Sequence, residues 1–136
     1  MKNSILHLFI NHIEQNSIIL DKDGIIGDKH YKNDPERSIL ITSIKSYEIS
    51  KVAGISLNYG DLGENILVDF DPYGLPYGKR LKIGDAIIEI TTKSTLCKSL
   101  TKIDNKLPKL LKDDRGIYAK VVQGASVSRG DLIELV

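Results

Sequence analysis

The chain has 136 residues, the usual size of one domain and enough to bury a hydrophobic core without disulfides or a structural metal. Its 19 basic and 18 acidic residues leave a formal net charge of +1, which argues against a protein that mainly coats nucleic acid or an anionic membrane. No apolar run approaches the roughly 20 residues that span a bilayer, and the N-terminal apolar stretch lacks a signal-peptide cleavage site. We therefore expect one cytoplasmic domain, residues 1–136, with no nucleic-acid or membrane partner.

Short β-strands account for most of the predicted secondary structure. Runs rich in Ile, Leu and Val are bounded by glycine, aspartate and proline, the residue types that are typical of turns. Seven strands are predicted in chain order, at residues 5–10, 38–42, 65–70, 80–83, 86–92, 117–122 and 132–136. So many short strands in a small domain predict a mainly β fold, either a barrel or a sandwich.

The dipeptide Gly-Asp occurs four times, beginning at Gly27, Gly60, Gly84 and Gly130. Such repetition could indicate a metal or phosphate site. The last two copies, however, each precede an apolar run. For these two we predict turns in which the glycine has a positive φ and the aspartate binds nearby backbone amides.

Two helices are predicted between the strands. The first covers residues 43–53, with Ile44, Tyr47 and Val52 on one side and Gly54 just beyond its end. The second covers residues 95–111, where leucines and isoleucine recur at helical spacing opposite a stripe of lysines. Pro108 either breaks this second helix or begins a further short one.

Cys97, the only cysteine of the chain, lies between the strand at 86–92 and the basic helical stretch that begins near Lys98. A single cysteine cannot form an internal disulfide. If Ser94 or Thr95 caps the helix, the unpaired backbone amides and the charge of Lys98 would stabilise the thiolate, the form that attacks sulfur donors and binds soft metals. We therefore expect a lowered pKa for Cys97, whereas burial in aliphatic packing would reverse that expectation.

Other polar residues stand beside glycines upstream of Cys97. Asp28 and His30 follow a glycine-flanked apolar pair, Arg37 precedes a predicted strand, and Glu64 with Asn65 precedes another. Each has an ordinary structural interpretation when it is taken alone, and we assign no role to His7 or His12.

Taken together and in this order, these segments resemble a MOSC domain, the module named after the C-terminal domain of molybdenum cofactor sulfurases. The resemblance extends over nearly the whole chain. It is carried by GIIGDKH at 24–30, RSIL at 37–40, GDLGENI at 60–66, LKIGDAIIEIT at 81–91 leading to Cys97, GIYAKVVQG at 116–124 and GDLI at 130–133.

The resemblance implies a β-barrel like the pyruvate kinase β domain, with a few short helices and a cysteine that faces a polar cleft. Cys97 would be the catalytic residue, as a persulfide carrier, or a molybdenum ligand. Asp28, His30, Arg37, Glu64, Asn65 and Lys98 would bind the molybdenum cofactor (molybdopterin), with arginine suited to its phosphate. The resemblance also associates the family with pyridoxal phosphate binding.

Three functions remain open at this point. The preferred one is a molybdenum cofactor-binding or sulfur-carrier protein that works with a cysteine desulfurase or another sulfur donor and with molybdenum cofactor biosynthesis proteins. The second is the molybdenum-dependent component of a reductase for N-hydroxylated compounds, supplied by electron-transfer partners. The third is a non-catalytic ligand-binding barrel with a packed cysteine. The resemblance covers one MOSC domain with no attached desulfurase or reductase domain and no second thiol, so we expect partners to supply those chemistries.

Overall fold

The computed structural model describes residues 3–94 and 98–136, and in these residues eleven β-strands, a 3-10 helix at Pro35–Arg37 and three short α-helices form. The strands are β1 Asn3–Ile10, β2 Ile13–Gln15, β3 Ser17–Asp21, β4 Gly24–Ile25, β5 Ile39–Ser43, β6 Ile66–Val68, β7 Arg80–Ile83, β8 Ala86–Lys93, β9 Ile117–Gln123, β10 Ala125–Ser128 and β11 Leu132–Leu135. The α-helices are α1 Ile44–Val52, α2 Lys98–Ile103 and α3 Leu107–Leu110.

Seven of the described strands close into a barrel. They are ordered β11-β7-β8-β9-β5-β6-β1, and β11 pairs with β1 to complete the ring. Only β5 and β6 run parallel among the described pairs, and β2 extends the sheet beyond β1 as a hairpin. A second sheet, β10-β3-β4, packs its buried side chains into the same core. The predicted mainly β barrel is therefore confirmed.

Alternation of side chains builds the barrel interior. In β7, Leu81 and Ile83 are buried while Arg80 and Lys82 face the solvent, as the period-two pattern of a strand requires. Full burial of such an aliphatic side chain contributes roughly 1.5–3 kcal/mol. The barrel core is mainly aliphatic, with Tyr73 buried in it and Phe70 packed against it.

A second apolar cluster covers one outer side of the barrel beneath the helices. It combines side chains from α1, α2, α3, β1, β6 and two loops: Phe9, Tyr47, Ile55, Leu62, Leu67, Leu100, Leu107 and Leu111. This cluster holds the helices against the barrel. It also fixes Tyr47 close to the turns that precede β6.

All seven predicted strands are present, with small shifts at their ends, but four further strands were not predicted. β2, β3, β4 and β10 have two to five residues each and contain Ser, Asp, Gln or Gly. β2 and β4 are too short to signal a strand, whereas β3 and β10 are at least as long as β7 and were still not predicted. They form because they pair with one another or with β1, which a local pattern does not reveal.

The helix predictions need two corrections. Val52 is 89% exposed, because α1 packs through Ser46, Tyr47 and Ser50, which lie on a different side of the helix. The second predicted helix forms as α2 and α3, and Pro108 lies in the first turn of α3, so the predicted start of a further short helix at Pro108 is confirmed; the missing N–H costs no hydrogen bond there. Ile103, predicted to be apolar and packed, is 42% exposed.

The turn predictions for Gly84 and Gly130 are largely confirmed. Both glycines have a positive φ, and Asp131 Oδ2 accepts a hydrogen bond from the Ser128 amide at 2.8 Å. Asp85 differs, since within the described residues its backbone carbonyl, and not its carboxylate, accepts a hydrogen bond. The longest described helix, α1, has nine residues, so none of the described helices could cross a membrane.

Candidate functional site

Three of the predicted site residues, Asp28, His30 and Asn65, meet in one hydrogen-bonded cluster. Asp28 is buried, and its Oδ1 accepts a hydrogen bond from Asn65 Nδ2 at 3.0 Å. Its Oδ2 accepts from the His30 amide at 3.0 Å and lies 3.1 Å from His30 Nδ1. Because a carboxylate only accepts, His30 Nδ1 carries the proton and Nε2 is left for a ligand. The cluster therefore fixes the ring of a half-exposed histidine.

Asn65 joins this cluster to the barrel. Its Oδ1 accepts from the Leu40 amide at 3.0 Å, and its Nδ2 also donates to the Phe9 carbonyl at 3.3 Å. Its own backbone amide donates to the Leu40 carbonyl at 2.8 Å. The amide group is thus engaged with β1, β5 and Asp28. In this arrangement Asn65 positions Asp28, and direct contact of Asn65 with a cofactor stays a prediction.

Glu64 lies at the centre of a separate buried network. Its Oε2 accepts from the Tyr47 hydroxyl at 2.6 Å and from the Gly60 amide at 3.1 Å. The same hydroxyl accepts from the amides of Gly60 and Leu62 at 3.0 and 3.3 Å. Glu64 is 1% exposed, and its Oε1 has no hydrogen-bond partner in the described part of the chain.

Arg115 is the functional candidate that the sequence did not reveal. It is 6% exposed, and its Nε and Nη1 have no hydrogen-bond partner in residues 3–94 and 98–136. Its charge acts on Glu64, although the two side chains do not form a close ion pair. Arg115 follows a run of charged residues, Lys112 to Asp114, so it resembles one more solvent-exposed side chain. Only the fold shows that it is buried.

Arg115 is buried beside a closely packed segment at the start of β9. A Cβ on Gly116 would lie 2.9 Å from Leu40 Cδ1 and 3.5 Å from Thr42 Oγ1, so the bare glycine lets β9 approach β5. Arg115 precedes this closely packed glycine and is itself buried. Thr42 Oγ1 is also buried and has no partner among the described residues.

Burial dominates the electrostatics of the Glu64 network. It raises the pKa of the Glu64 carboxyl above its ordinary value, while the hydrogen bonds from Tyr47 and Gly60 and the charge of Arg115 lower it in part. Burial, together with the Glu64 carboxylate, also raises the pKa of Tyr47, so that its hydroxyl stays protonated. The network therefore resists loss of a proton at either group.

The raised pKa of Glu64 predicts a pH-dependent stability. The folded protein holds the Glu64 proton more firmly than the unfolded chain, so the contribution of Glu64 to stability is fully present below the unfolded-state pKa and is lost as pH rises through the folded-state pKa. The variant Glu64→Gln cannot titrate there. We expect its unfolding free energy, relative to that of the wild type, to increase with pH in urea titrations between acid and neutral pH. If the difference in unfolding free energy between Glu64→Gln and the wild type did not change with pH, the raised pKa of Glu64 would be contradicted.

The structure places Arg37 apart from these networks. Its side chain is 58% exposed, its Nε lies 3.9 Å from Asp34 Oδ2, and its guanidinium lies 5.7 Å from the centre of the Tyr118 ring. Lys98 is the first residue of α2. Cys97 and the predicted cap Thr95 lie outside the described residues, so the predicted closeness of Cys97 to His30 and Arg37 stays a prediction.

No ready-made metal centre exists among the residues that the structure describes, since no three His, Cys, Asp or Glu side chains cluster closely enough to hold an ion. The family model described as the MOSC domain matches residues 27–134, which include every predicted site residue. The chain belongs to the MOSC domain family.

Solved structures share the MOSC fold of this chain. The YuaD protein from Bacillus subtilis is 22% identical, with a TM-score of 0.85 over 99% of this chain and 96% of its own. YiiM from Escherichia coli is 20% identical, with a TM-score of 0.78 over 100% of this chain and 70% of its own. YiiM from Geobacillus stearothermophilus is 16% identical, with a TM-score of 0.75 over 99% of this chain and 72% of its own. A search of curated proteins finds no significant match.

Proposed function

We propose that this MOSC protein binds the molybdenum cofactor and that Cys97 serves it as a persulfide carrier or as a molybdenum ligand. MOSC domains are in general associated with this cofactor. The observation that carries the proposal is the family match, because it spans Asp28, His30, Glu64 and Cys97 in one domain. The two buried polar networks described above support it.

The described residues fit such a cofactor by their chemistry. A pterin cofactor presents a phosphate, ring N–H and carbonyl groups, and a metal bound by soft sulfur. Among the described residues, Arg115 supplies a buried cation with unpaired N–H groups, Glu64 supplies an unpaired carboxyl oxygen, and His30 supplies an Nε2 that makes no hydrogen bond. Buried polar atoms without partners are uncommon in native proteins and are expected where a ligand or ordered water completes the bonding.

Each protein group would have a distinct task. Asp28 keeps the proton on His30 Nδ1, so His30 Nε2 can accept a hydrogen bond at the ligand. Tyr47 and Gly60 both donate hydrogen bonds to Glu64 Oε2. These two contacts fix the orientation of the carboxyl group and therefore the position of Oε1. When bound, the cofactor would supply a metal that accepts a further thiolate. Cys97 is the only residue of the chain that can provide one.

In the sulfur-carrier role, Cys97 would receive sulfur by thiol–persulfide exchange. The Cys97 thiolate would attack the terminal sulfur of a donor persulfide, R–S–SH, and a new S–S bond would form as the donor S–S bond breaks. The products are the Cys97 persulfide and the donor thiolate, R–S⁻, and the terminal proton stays on the transferred sulfur. The low thiol pKa predicted from the sequence would favour this step, because thiolate is the nucleophile.

The proposal is tested by cofactor content. Wild-type protein and Cys97→Ala are expressed in a host that makes the molybdenum cofactor, then assayed for molybdenum and for the fluorescence of oxidised pterin. We expect metal and pterin in the wild type and a loss of most of both in Cys97→Ala, because the variant lacks the thiolate.

Arg80→Met is the matched control, since Arg80 is exposed and pairs only with Glu89 in the described structure. It should retain wild-type metal and pterin. If neither the wild type nor Cys97→Ala contained molybdenum or pterin, cofactor binding would be rejected. Equal loading of both would reject the role of Cys97 while leaving cofactor binding in place.

A further inference from the structure

His12, to which the sequence assigned no role, lies across Gly63 from Arg115. A Cβ built on Gly63 would lie 3.9 Å from His12 Cε1 and 4.0 Å from Arg115 Nη2. Gly63 has a φ of +83°, a conformation that favours glycine. Because Gly63 has no side chain, a space remains between the His12 imidazole and the Arg115 guanidinium. The side chain of any other residue at this position would fill that space.

The two flanking groups differ in exposure and in how they are held. His12 is exposed, and its Nδ1 lies 3.0 Å from the Gly60 carbonyl. Because a carbonyl only accepts, His12 Nδ1 donates, and Nε2 makes no hydrogen bond within residues 3–94 and 98–136. Arg115 is buried and has unpaired nitrogens within the described chain. The space thus has a solvent-facing wall and a buried cationic wall.

The buried cation needs an anion. An uncompensated guanidinium beneath the surface is costly, and Glu64 compensates it only from a distance, without a close ion pair and with its own carboxyl desolvated. A bound oxyanion would satisfy the Arg115 donors with charge-assisted hydrogen bonds. Thr42 Oγ1, also buried and unpartnered in the described residues, is a further donor near the start of β9.

We propose that Arg115, His12 and the bare backbone of Gly63 form a binding site for a phosphate-like oxyanion. His12 Nε2 would accept from the hydroxyl of a protonated oxyanion or, when the ring is protonated, donate to an oxygen. This deepens the proposed function, because the site would take the anionic end of the cofactor. The same chemistry would also bind free phosphate, so the experiment separates the two sources.

The experiment measures anion binding to purified, cofactor-free protein by calorimetry and by the shift of melting temperature. The probes are inorganic phosphate and glycerol phosphate, each compared with chloride at equal ionic strength. We expect phosphate to stabilise the wild type and Arg115→Met to weaken its binding roughly tenfold or more, as expected for loss of a charge-assisted hydrogen bond. Arg80→Met should bind like the wild type.

His12→Ala keeps the experiment decisive if Arg115→Met does not fold, because the His12 side chain is exposed. We expect a several-fold weaker binding of phosphate, measured as the shift that phosphate causes relative to the melting temperature of the same variant in chloride, because loss of the His12 contact with the Gly60 carbonyl also lowers stability. A monoester that binds as well as inorganic phosphate would identify the terminal group of a larger ligand, whereas preference for inorganic phosphate would identify the free ion.

Binding that is absent from the wild type, or that is equal in the wild type, Arg115→Met and His12→Ala, would overturn the site. Neither probe involves molybdenum or Cys97. Phosphate binding without cofactor retention would therefore count against the proposed function alone, and cofactor retention without phosphate binding would count against this site alone.

Discussion

Tyr47→Phe should destabilise the protein by roughly 2–4 kcal/mol, because the variant leaves a buried amide without an acceptor and takes a donor from a buried carboxyl. The Tyr47 hydroxyl donates to Glu64 Oε2 and accepts from the amides of Gly60 and Leu62. Phenylalanine keeps the ring and its apolar packing, so the change isolates the hydroxyl. Urea unfolding followed by circular dichroism measures the effect.

The matched control for that variant is Tyr77→Phe. Tyr77 is 68% exposed, and removal of its hydroxyl should change the unfolding free energy by less than about 0.5 kcal/mol, as is usual for surface substitutions. If Tyr47→Phe changed the unfolding free energy as little as Tyr77→Phe, the Tyr47 hydroxyl would not be the centre of the Glu64 network. The description of that end of the barrel would then be wrong.

Asn65→Asp should have an even larger effect at neutral pH. The exchange replaces one NH2 group by an oxygen, so the shape is kept. It removes the donor to Asp28 Oδ1 and to the Phe9 carbonyl, and it sets a second carboxylate against buried Asp28. An uncompensated charge in such a position costs on the order of 3–5 kcal/mol. We expect this loss in urea titrations near neutral pH.

Acidification distinguishes charge repulsion from loss of packing in Asn65→Asp. Protonation of the new carboxyl removes the repulsion and restores a donor, so part of the lost stability should return as pH falls. Asn33→Asp, at an exposed position, is the control and should stay close to the wild type at every pH. A defect in Asn65→Asp that acid does not relieve would contradict the arrangement of Asp28 and Asn65.

The barrel could be predicted because its strands are short runs rich in Ile, Leu and Val that are bounded by turn residues. Arg80 to Ile83 shows the pattern in four residues, and β7 has those bounds. β4, with two residues, and β10, which includes two serines, carry no comparable signal. β4 forms a local hairpin with β3, and β10 forms by long-range pairing with β3. Local composition and turn residues therefore indicated the barrel and missed the second sheet.

The candidate site was predictable where its chemistry lies beside a turn. Asp28 and His30 stand next to Gly27, and Glu64 and Asn65 stand next to Gly63, so glycine and polar residue types together indicated a site. What these residues contact was not predictable. Asn65 joins β1, β5 and Asp28, which are separated by many residues along the chain.

Arg115 and His12 were missed for a different reason. A charged residue in a polar run is normally solvated, but Arg115 is buried beside the closely packed start of β9. His12 lies at the β1–β2 turn with a φ of +68°, a conformation that its sequence context does not signal. In both cases tertiary structure, and not local pattern, determines the chemistry.

The intact mass of the purified protein tests the central role of Cys97 most directly. The wild type, incubated with a cysteine desulfurase and cysteine or isolated from a cofactor-competent host, should gain the mass of one sulfur atom that reductant removes, or retain the cofactor under native conditions. Cys97→Ala should show neither. A wild-type protein with only its unmodified mass in both preparations would contradict the account.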